Sequence, residues 1–151
     1  MKVGTICQRV VVTVQRSDEV TTAAHLMRDK HVGYLVVVQT DAAGGAPRPI
    51  GVLTDRDLVV TLLARDVSPG SVRVGDVMTP NPVTVAESDA MEAALQRMRE
   101  SGIRRLPVIN GQGELVGIIA TDDILKVIAG DTVDVVTTVT RERSVEGTKR
   151  P

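Results

Sequence analysis

Two stretches of the sequence set reactive side chains beside one another: Gly51-Val52-Leu53-Thr54-Asp55-Arg56-Asp57 and Ile103-Arg104-Arg105-Leu106-Pro107-Val108. Within the first, Thr54-x-x-Asp57 fits the pattern in which a hydroxyl and a carboxylate satisfy the free backbone N–H groups at a helix start, a role that needs no ligand. The second carries two adjacent guanidiniums. On an extended segment these point to opposite sides, so at most one would reach a given partner, and a solvated turn is the competing reading. His25 and His31 lie six residues apart and Cys7 is remote from both, which gives no zinc-like ligand set. Neither a G-x-S-x-G nucleophile turn nor a G-x-x-x-x-G-K-[ST] phosphate loop occurs. The expectation is therefore a protein that is not an enzyme, with no metal and no required cofactor.

The chain that must position these groups has 151 residues, 42% apolar and 25% charged, enough to bury a core as one domain or as two half-size units. Tyr34 is the only aromatic residue, which argues against base-stacking nucleic-acid platforms. A formal charge of −1 provides no global field for phosphate backbones or anionic membranes, so neither nucleic acid nor membrane is expected as a partner. The last eleven residues hold Arg141, Arg143, Lys149 and Arg150 against Glu142 and Glu146, the pattern of a solvated tail. A single cysteine allows no intrachain disulfide and suits a reducing compartment. The segment Met1–Thr5 opens no apolar run of signal-peptide length, and no segment approaches the roughly 18 apolar residues of a membrane span. A soluble, cytoplasmic protein is expected.

The sequence also repeats itself. At an offset of 71, Val3–Gln39 aligns without a gap on Val74–Asn110, with identities that include Val3/Val74, Gly4/Gly75, Val12/Val83, Ser17/Ser88, Asp18/Asp89, Met27/Met98 and Leu35/Leu106. Beyond Gln39 the offset becomes 66, pairing Gly51-Val52-Leu53 with Gly117-Ile118-Ile119 and Asp57-Leu58 with Asp123-Ile124. The extra five residues fall in Thr40–Pro49, where Gly44-Gly45 and two prolines mark a turn. The copies span residues 3–67 and 74–130, joined by a linker over 68–73.

Periodicity orders the elements within each copy. Val20, Ala23, Ala24 and Met27 behind Ser17, and Met91, Ala94, Leu95 and Met98 behind Ser88, predict amphipathic helices with serine caps. Tyr34–Val38, Leu106–Ile109, Ile50–Leu53 and Val116–Ile119 are aliphatic runs of strand length. A second helix begins near Thr54 or Thr121 and carries Leu58 and Leu62, or Ile124 and Ile128. Each copy thus reads β-α-β-β-α, an α/β (α+β) arrangement too small to be robust alone, so two copies packing their sheets together is expected. The tail over 131–151 is read as a helix, although its β-branched residues suit a strand as well.

The two copies, together with Asp76-Val77-Met78-Thr79-Pro80 and the two stretches quoted above, resemble a tandem pair of cystathionine-β-synthase (CBS) domains, a Bateman module, over residues 3–130. The resemblance implies a non-catalytic regulatory module with two clefts between the copies. It also implies an adenosine nucleotide as ligand, AMP, ADP or ATP, with S-adenosylmethionine as a further candidate. A homodimer and an unidentified regulated protein are the implied partners. In the family pattern G-h-h-[TS]-x-x-D the aspartate accepts ribose hydroxyls and the hydroxyl residue meets phosphate.

Carried onto this sequence, the first site comprises Thr54, Arg56 and Asp57, faced by Val83, Ile103, Arg104, Arg105 and Pro107, with the arginines toward phosphate and the apolar residues toward adenine. The second comprises Ala120, Asp122 and Asp123, faced by Val12, Val32, Gly33 and Tyr34. It departs from the pattern twice, since Ala120 has no hydroxyl and Asp122 replaces Arg56 with a carboxylate that repels phosphate. The second site is thus expected to be empty, weaker, or suited to an uncharged or cationic adenosyl group, with Tyr34 either packing at the rim or stacking on a base. An alternative reading is a structural module that assembles with a protein partner through Thr40–Pro49 and the tail, without a nucleotide.

Overall fold

A computed structural model describes residues 1–130 together with Val133, Asp134, Thr137 and Arg141. Apart from those four positions, the helix expected over 131–151 lies outside the described residues. The chain runs α1 (Val3–Ile6), β1 (Thr13–Gln15), α2 (Val20–Lys30), β2 (Tyr34–Gln39), β3 (Arg48–Thr54), α3 (Asp55–Thr61), α4 (Val74–Val77), β4 (Thr79–Pro80), β5 (Val85–Ala86), α5 (Met91–Ser101), β6 (Arg105–Ile109) and β7 (Leu115–Ala120). Residues 121–130 form a further helix, α6. Two single 3-10 turns, Leu63–Arg65 and Pro69–Ser71, lead from one copy to the next.

The mixed α/β architecture has two small sheets, ordered β1-β2-β3-β4 and β5-β6-β7. In each, the first strand pairs in parallel with the second, and the second pairs antiparallel with the third. A parallel pair needs a crossover, and the amphipathic helix between the two strands supplies it. α2 buries Val20, Ala23 and Met27, and α5 buries Ala94 and Met98. Leu95, expected on that stripe, is instead 41% exposed. One core gathers Val14, Ala23, Met27, Leu35, Val37, Leu53 and Val74. The other gathers Val3, Val85, Ala94, Met98, Leu106, Val108, Ile119 and Ile124.

Those two cores contain an exchange that the repeat alone does not reveal. Val3 lies in the second copy's core, and Val74 lies in the first copy's. The Val3 and Gly4 N–H groups donate to the Asp89 and Glu87 carbonyls, both at 2.9 Å, while the equivalent Val74 and Gly75 donate to Asp18 and Arg16 at 2.9 and 2.8 Å. β4 then adds to β3 as the fourth strand of the first sheet, and Gln8 forms the matching bridge to Ile118 on the second. Each unit of packing is therefore completed by the opening segment of the other repeat. Gly51 and Gly117 allow this approach: a Cβ on Gly51 would stand 2.5 Å from Met78 Sδ, and one on Gly117 would stand 2.8 Å from Cys7 Sγ and 2.9 Å from the Gln8 carbonyl.

Helix starts depart from the expected serine caps. α2 and α5 begin after Glu19 and Ala90, neither of which forms a side-chain cap, so Ser17 and Ser88 lie too early to serve. Their neighbours Asp18 and Asp89 instead close the preceding turns, accepting from the Gln15 N–H at 2.8 Å and the Ala86 N–H at 3.1 Å. Thr54 does cap α3. Thr121 is itself the first residue of α6 rather than its cap; its hydroxyl donates to the Arg104 carbonyl at 3.3 Å and its N–H to the same carbonyl at 2.9 Å.

Candidate functional site

The first cleft, a cavity of about 640 Å³, opens where the end of β3 and the start of α3 meet the turn between α5 and β6. Thr54, Arg56, Asp57, Val83, Ile103, Arg104 and Arg105 all line it. The volume falls within the roughly 300–1,000 Å³ usual for small-molecule sites. Pro107 does not line this cleft: it is a buried residue of β6 paired with Ile118. At about 3.3 Å per residue it stands roughly 6.6 Å deeper along the strand than Arg105, too far in to form the apolar slot. Val83 and Ile103 do border the cavity, at 38% and 37% exposure.

Both adjacent arginines reach this cleft, contrary to the alternation expected of an extended pair. β6 begins only at Arg105, and Arg104 sits in the bend before it, so strand alternation does not govern the two. Among the described residues, Arg56, Arg104 and Arg105 form no ion pair with a carboxylate, whereas Arg9, Arg28, Arg48, Arg73 and Arg97 each do. Three guanidiniums thus border one cavity outside any ion pair, with the Asp55 and Asp57 carboxylates on the same lining.

Asp57 is tied into the local helix start. Its Oδ2 accepts from the Thr54 N–H at 2.9 Å, and its own N–H donates to Thr54 Oγ1 at 3.1 Å, a complete reciprocal cap. Residues not anticipated here are Val52, Asp55, Thr79, Asn81, Pro82, Ser101 and Gly102, together with Gly33 and Tyr34 of the other site. The 71-residue offset could have found two of them, since it places Asn81 and Pro82 opposite Val10 and Val11, next to the Val12/Val83 pair already singled out.

The second cleft is smaller, about 280 Å³, and all seven expected residues border it: Val12, Val32, Gly33, Tyr34, Ala120, Asp122 and Asp123. Gln8, Val10, Val11, His31, Arg105, Ile118 and Lys126 complete the lining. The capping arrangement is halved here because Ala120 has no hydroxyl. Asp123 Oδ2 accepts from the Ala120 N–H at 2.8 Å, and Oδ1 accepts from Gln8 Nε2 at 3.0 Å. At 8% exposure Asp123 is the buried charged residue of the described chain, and both of its oxygens are occupied. Asp122 and Asp123 share this lining with Lys126 and Arg105, two carboxylates against two cations, where the first cleft sets three guanidiniums against Asp55 and Asp57.

Tyr34 and Arg105 line both clefts and meet between them, the guanidinium carbon 5.9 Å from the ring centroid. Burial raises the Tyr34 phenol well above its ordinary value of 10.0, against a smaller opposing pull from the Arg105 charge. Burial likewise raises the Cys7 thiol above 9.0, partly opposed by Arg9. Among the described residues no group of three or more His, Cys, Asp or Glu is placed to hold a metal, and no helix is long and apolar enough to cross a membrane.

Comparison with known proteins agrees with this fold. The CBS domain family model matches residues 3–64 and 74–130, and the chain belongs to the CBS-domain family, with two copies in tandem. It is 33% identical over 127 residues to an uncharacterised protein of Methanopyrus kandleri, covering 84% of this chain and 62% of that one. Hypoxic response protein 1 of Mycobacterium tuberculosis is 32% identical over 116 residues, 77% of each chain. A solved structure of a putative signal-transduction protein with CBS domains from Burkholderia ambifaria superimposes with a TM-score of 0.74 at 30% identity, over 87% of this chain and 96% of that one. The CBS domain pair of protein MJ0100, in complex with 5'-methylthioadenosine and S-adenosyl-L-methionine, shares the fold at a TM-score of 0.71 and 21% identity, over 87% and 98%.

Proposed function

We propose that the chain is a non-catalytic regulatory module that binds an adenosine nucleotide, AMP, ADP or ATP, in the cleft bordered by Thr54, Arg56, Asp57, Arg104 and Arg105. The observation that carries this reading is the set of three guanidiniums lining one 640 Å³ cavity, none of them paired with a carboxylate among the described residues. Guanidiniums bind phosphate through charge-assisted, bidentate hydrogen bonds, and the Asp55 and Asp57 carboxylates on the same lining form no ion pair with them. Asp57 uses one carboxylate oxygen in the cap and retains the other for ribose hydroxyls. Val83 and Ile103 give the base an apolar border. The second cleft, smaller and partly acidic, is the weaker site and suits an uncharged or cationic adenosyl group. Ligand would act by preferring one shape or assembly of the module over another.

The expected assembly is a homodimer. Val59 on α3 and its repeat equivalent Leu125 on α6 are 52% and 56% exposed, with Val60 and Leu63 also outside the core. The same exposed residues favour a second reading, in which the module serves to assemble with a protein partner and takes no nucleotide. Thermal unfolding followed with an extrinsic dye separates the two. A nucleotide at about 100 times its dissociation constant adds about 2.7 kcal/mol, a rise of at least about 5 °C for a chain of this size. Titration with AMP, ADP, ATP and S-adenosylmethionine in parallel is expected to show that rise with at least one nucleotide. No shift with any of them at millimolar concentration would favour the assembly reading.

A further inference from the structure

The two clefts differ most in what touches the carboxylate of each. The repeat places Asp57 opposite Asp123, and it places Thr79 opposite Gln8. Thr79 and Gln8 occupy the same structural position, on the segment exchanged from the other repeat and paired with the strand that leads to the carboxylate, Thr79 with Val52 and Gln8 with Ile118. The backbone arrangement is shared, and the side chains differ in length and in polar group, a short hydroxyl against a long amide. Thr79 forms no hydrogen bond to Asp57, whose Oδ1 has no protein partner among the described residues. Gln8 carries its amide across to Asp123 Oδ1 at 3.0 Å, while Oδ2 is held by the Ala120 N–H.

We infer that Gln8 is the specificity-determining residue of the second cleft, where its amide holds the Asp123 carboxylate closed to ribose hydroxyls. The inference rests on reading Asp57 and Asp123 as ribose acceptors. A hydroxyl pair entering the cleft must take the place of the amide, and the contact it displaces is strong, because hydrogen bonds to ionised groups exceed neutral ones and Asp123 is buried. The carboxylate admits only one orientation of the amide, nitrogen inward, since the carbonyl oxygen would be repelled. Gln8 itself is an exposed residue that borders the cavity, so it can swing out without disturbing either core. The second cleft is accordingly latent rather than closed. Asp122 disfavours phosphate there, and removal of the amide opens it to neutral nucleosides.

The test is a two-dimensional NMR titration of the intact chain with adenosine, comparing the unmodified protein with Gln8→Thr, which copies the other repeat, and with Gln8→Ala, which carries the test if the threonine variant is unstable. Amides of Val11 and Asp122 report the second cleft, and those of Arg56 and Gly102 the first. The expected result is at least fivefold tighter adenosine binding at the second cleft in the variants, with the first cleft unchanged. Unchanged, weaker or absent binding at the second cleft of the variants would overturn the inference. AMP titrated into the same samples reads the first cleft separately. If AMP perturbs that cleft while the variants leave the second unaltered, only the role of Gln8 fails; if AMP perturbs neither cleft, the nucleotide reading itself fails.

Discussion

Arg105 and Tyr34 occupy the same position of the two repeats and face each other between the clefts, the guanidinium carbon 5.9 Å from the centre of the ring. The pseudo-symmetry of the chain is broken at its centre by this pair. One copy contributes a cation where the other contributes an aromatic ring, and both side chains border both cavities. The cation favours anionic ligand on the side where Arg56 and Arg104 also stand. There the three guanidiniums outnumber Asp55 and Asp57, whereas on the other side Arg105 and Lys126 are balanced by Asp122 and Asp123.

The environment of Tyr34 has a direct spectroscopic consequence. Burial raises its phenol above 10.0, so the folded chain retains that proton where the unfolded chain releases it. Stability from this group is fully present below pH 10 and falls as pH rises toward the folded value. Since the chain has one tyrosine and no tryptophan, absorbance near 295 nm isolates the ionisation. It is expected to show no half-ionisation at pH 10 and to coincide with alkaline unfolding; a simple titration at pH 10 in the folded protein would contradict the burial.

Charge and hydroxyl-acceptor substitutions should separate the two clefts. Loss of a charge-assisted hydrogen bond costs about 1.5–3 kcal/mol, so Arg56→Asp is expected to weaken AMP binding by roughly 10- to 150-fold or more, and Asp57→Ala to impair ribose recognition to a similar degree. Asp123→Ala should leave AMP affinity within about twofold. Isothermal calorimetry on the three variants checks this, and loss of AMP binding in Asp123→Ala alone would reverse the assignment of the clefts.

The half-cap at α6 offers a gain of stability. Thr54 completes a reciprocal cap with Asp57, whereas Ala120 leaves Asp123 to act alone. Capping hydroxyls contribute typically about 1 kcal/mol, so Thr54→Ala should lower unfolding stability by about 0.5–2 kcal/mol, and Ala120→Thr should raise it by up to about 1 kcal/mol. Urea unfolding of the two variants gives both signs in one experiment.

The exchanged segments should be sensitive to a single methyl group. Gly117→Ala would push a Cβ to 2.9 Å from the Gln8 carbonyl, and Gly51→Ala would push one to 3.1 Å from the Thr79 carbonyl. Overpacking against backbone costs roughly 1–3 kcal/mol, which for a chain of this size lowers the melting midpoint by several degrees. Unaltered midpoints would show that the segments are not held as tightly as the structure has them.

Much of this arrangement was legible in the sequence because it is encoded locally. The 71-residue repeat and the aliphatic runs at Tyr34–Val38 and Leu106–Ile109 mark elements whose periodicity is set by their own residues, and Thr54 with Asp57 lies within one helical turn. What was not legible depends on contacts between distant residues. Nothing in Val3 or Val74 distinguishes packing on its own copy from packing on the other, since both cores are aliphatic and equally receptive. The reach of Gln8 to Asp123, 115 positions away, follows from that exchange and was hidden with it. Pro107 was misjudged because strand depth, not residue type, decides whether a β6 residue meets the cleft. The serine caps failed because the helices start later than the spacing suggested, at Val20 and Met91, which leaves Ser17 and Ser88 in the preceding turns.

The most direct test of the account is a calorimetric titration of AMP into the intact chain at two salt concentrations. The guanidinium-lined cleft predicts one AMP per chain, bound more weakly as salt screens the arginines. Two equivalent AMP per chain, or no binding at either salt, would contradict it.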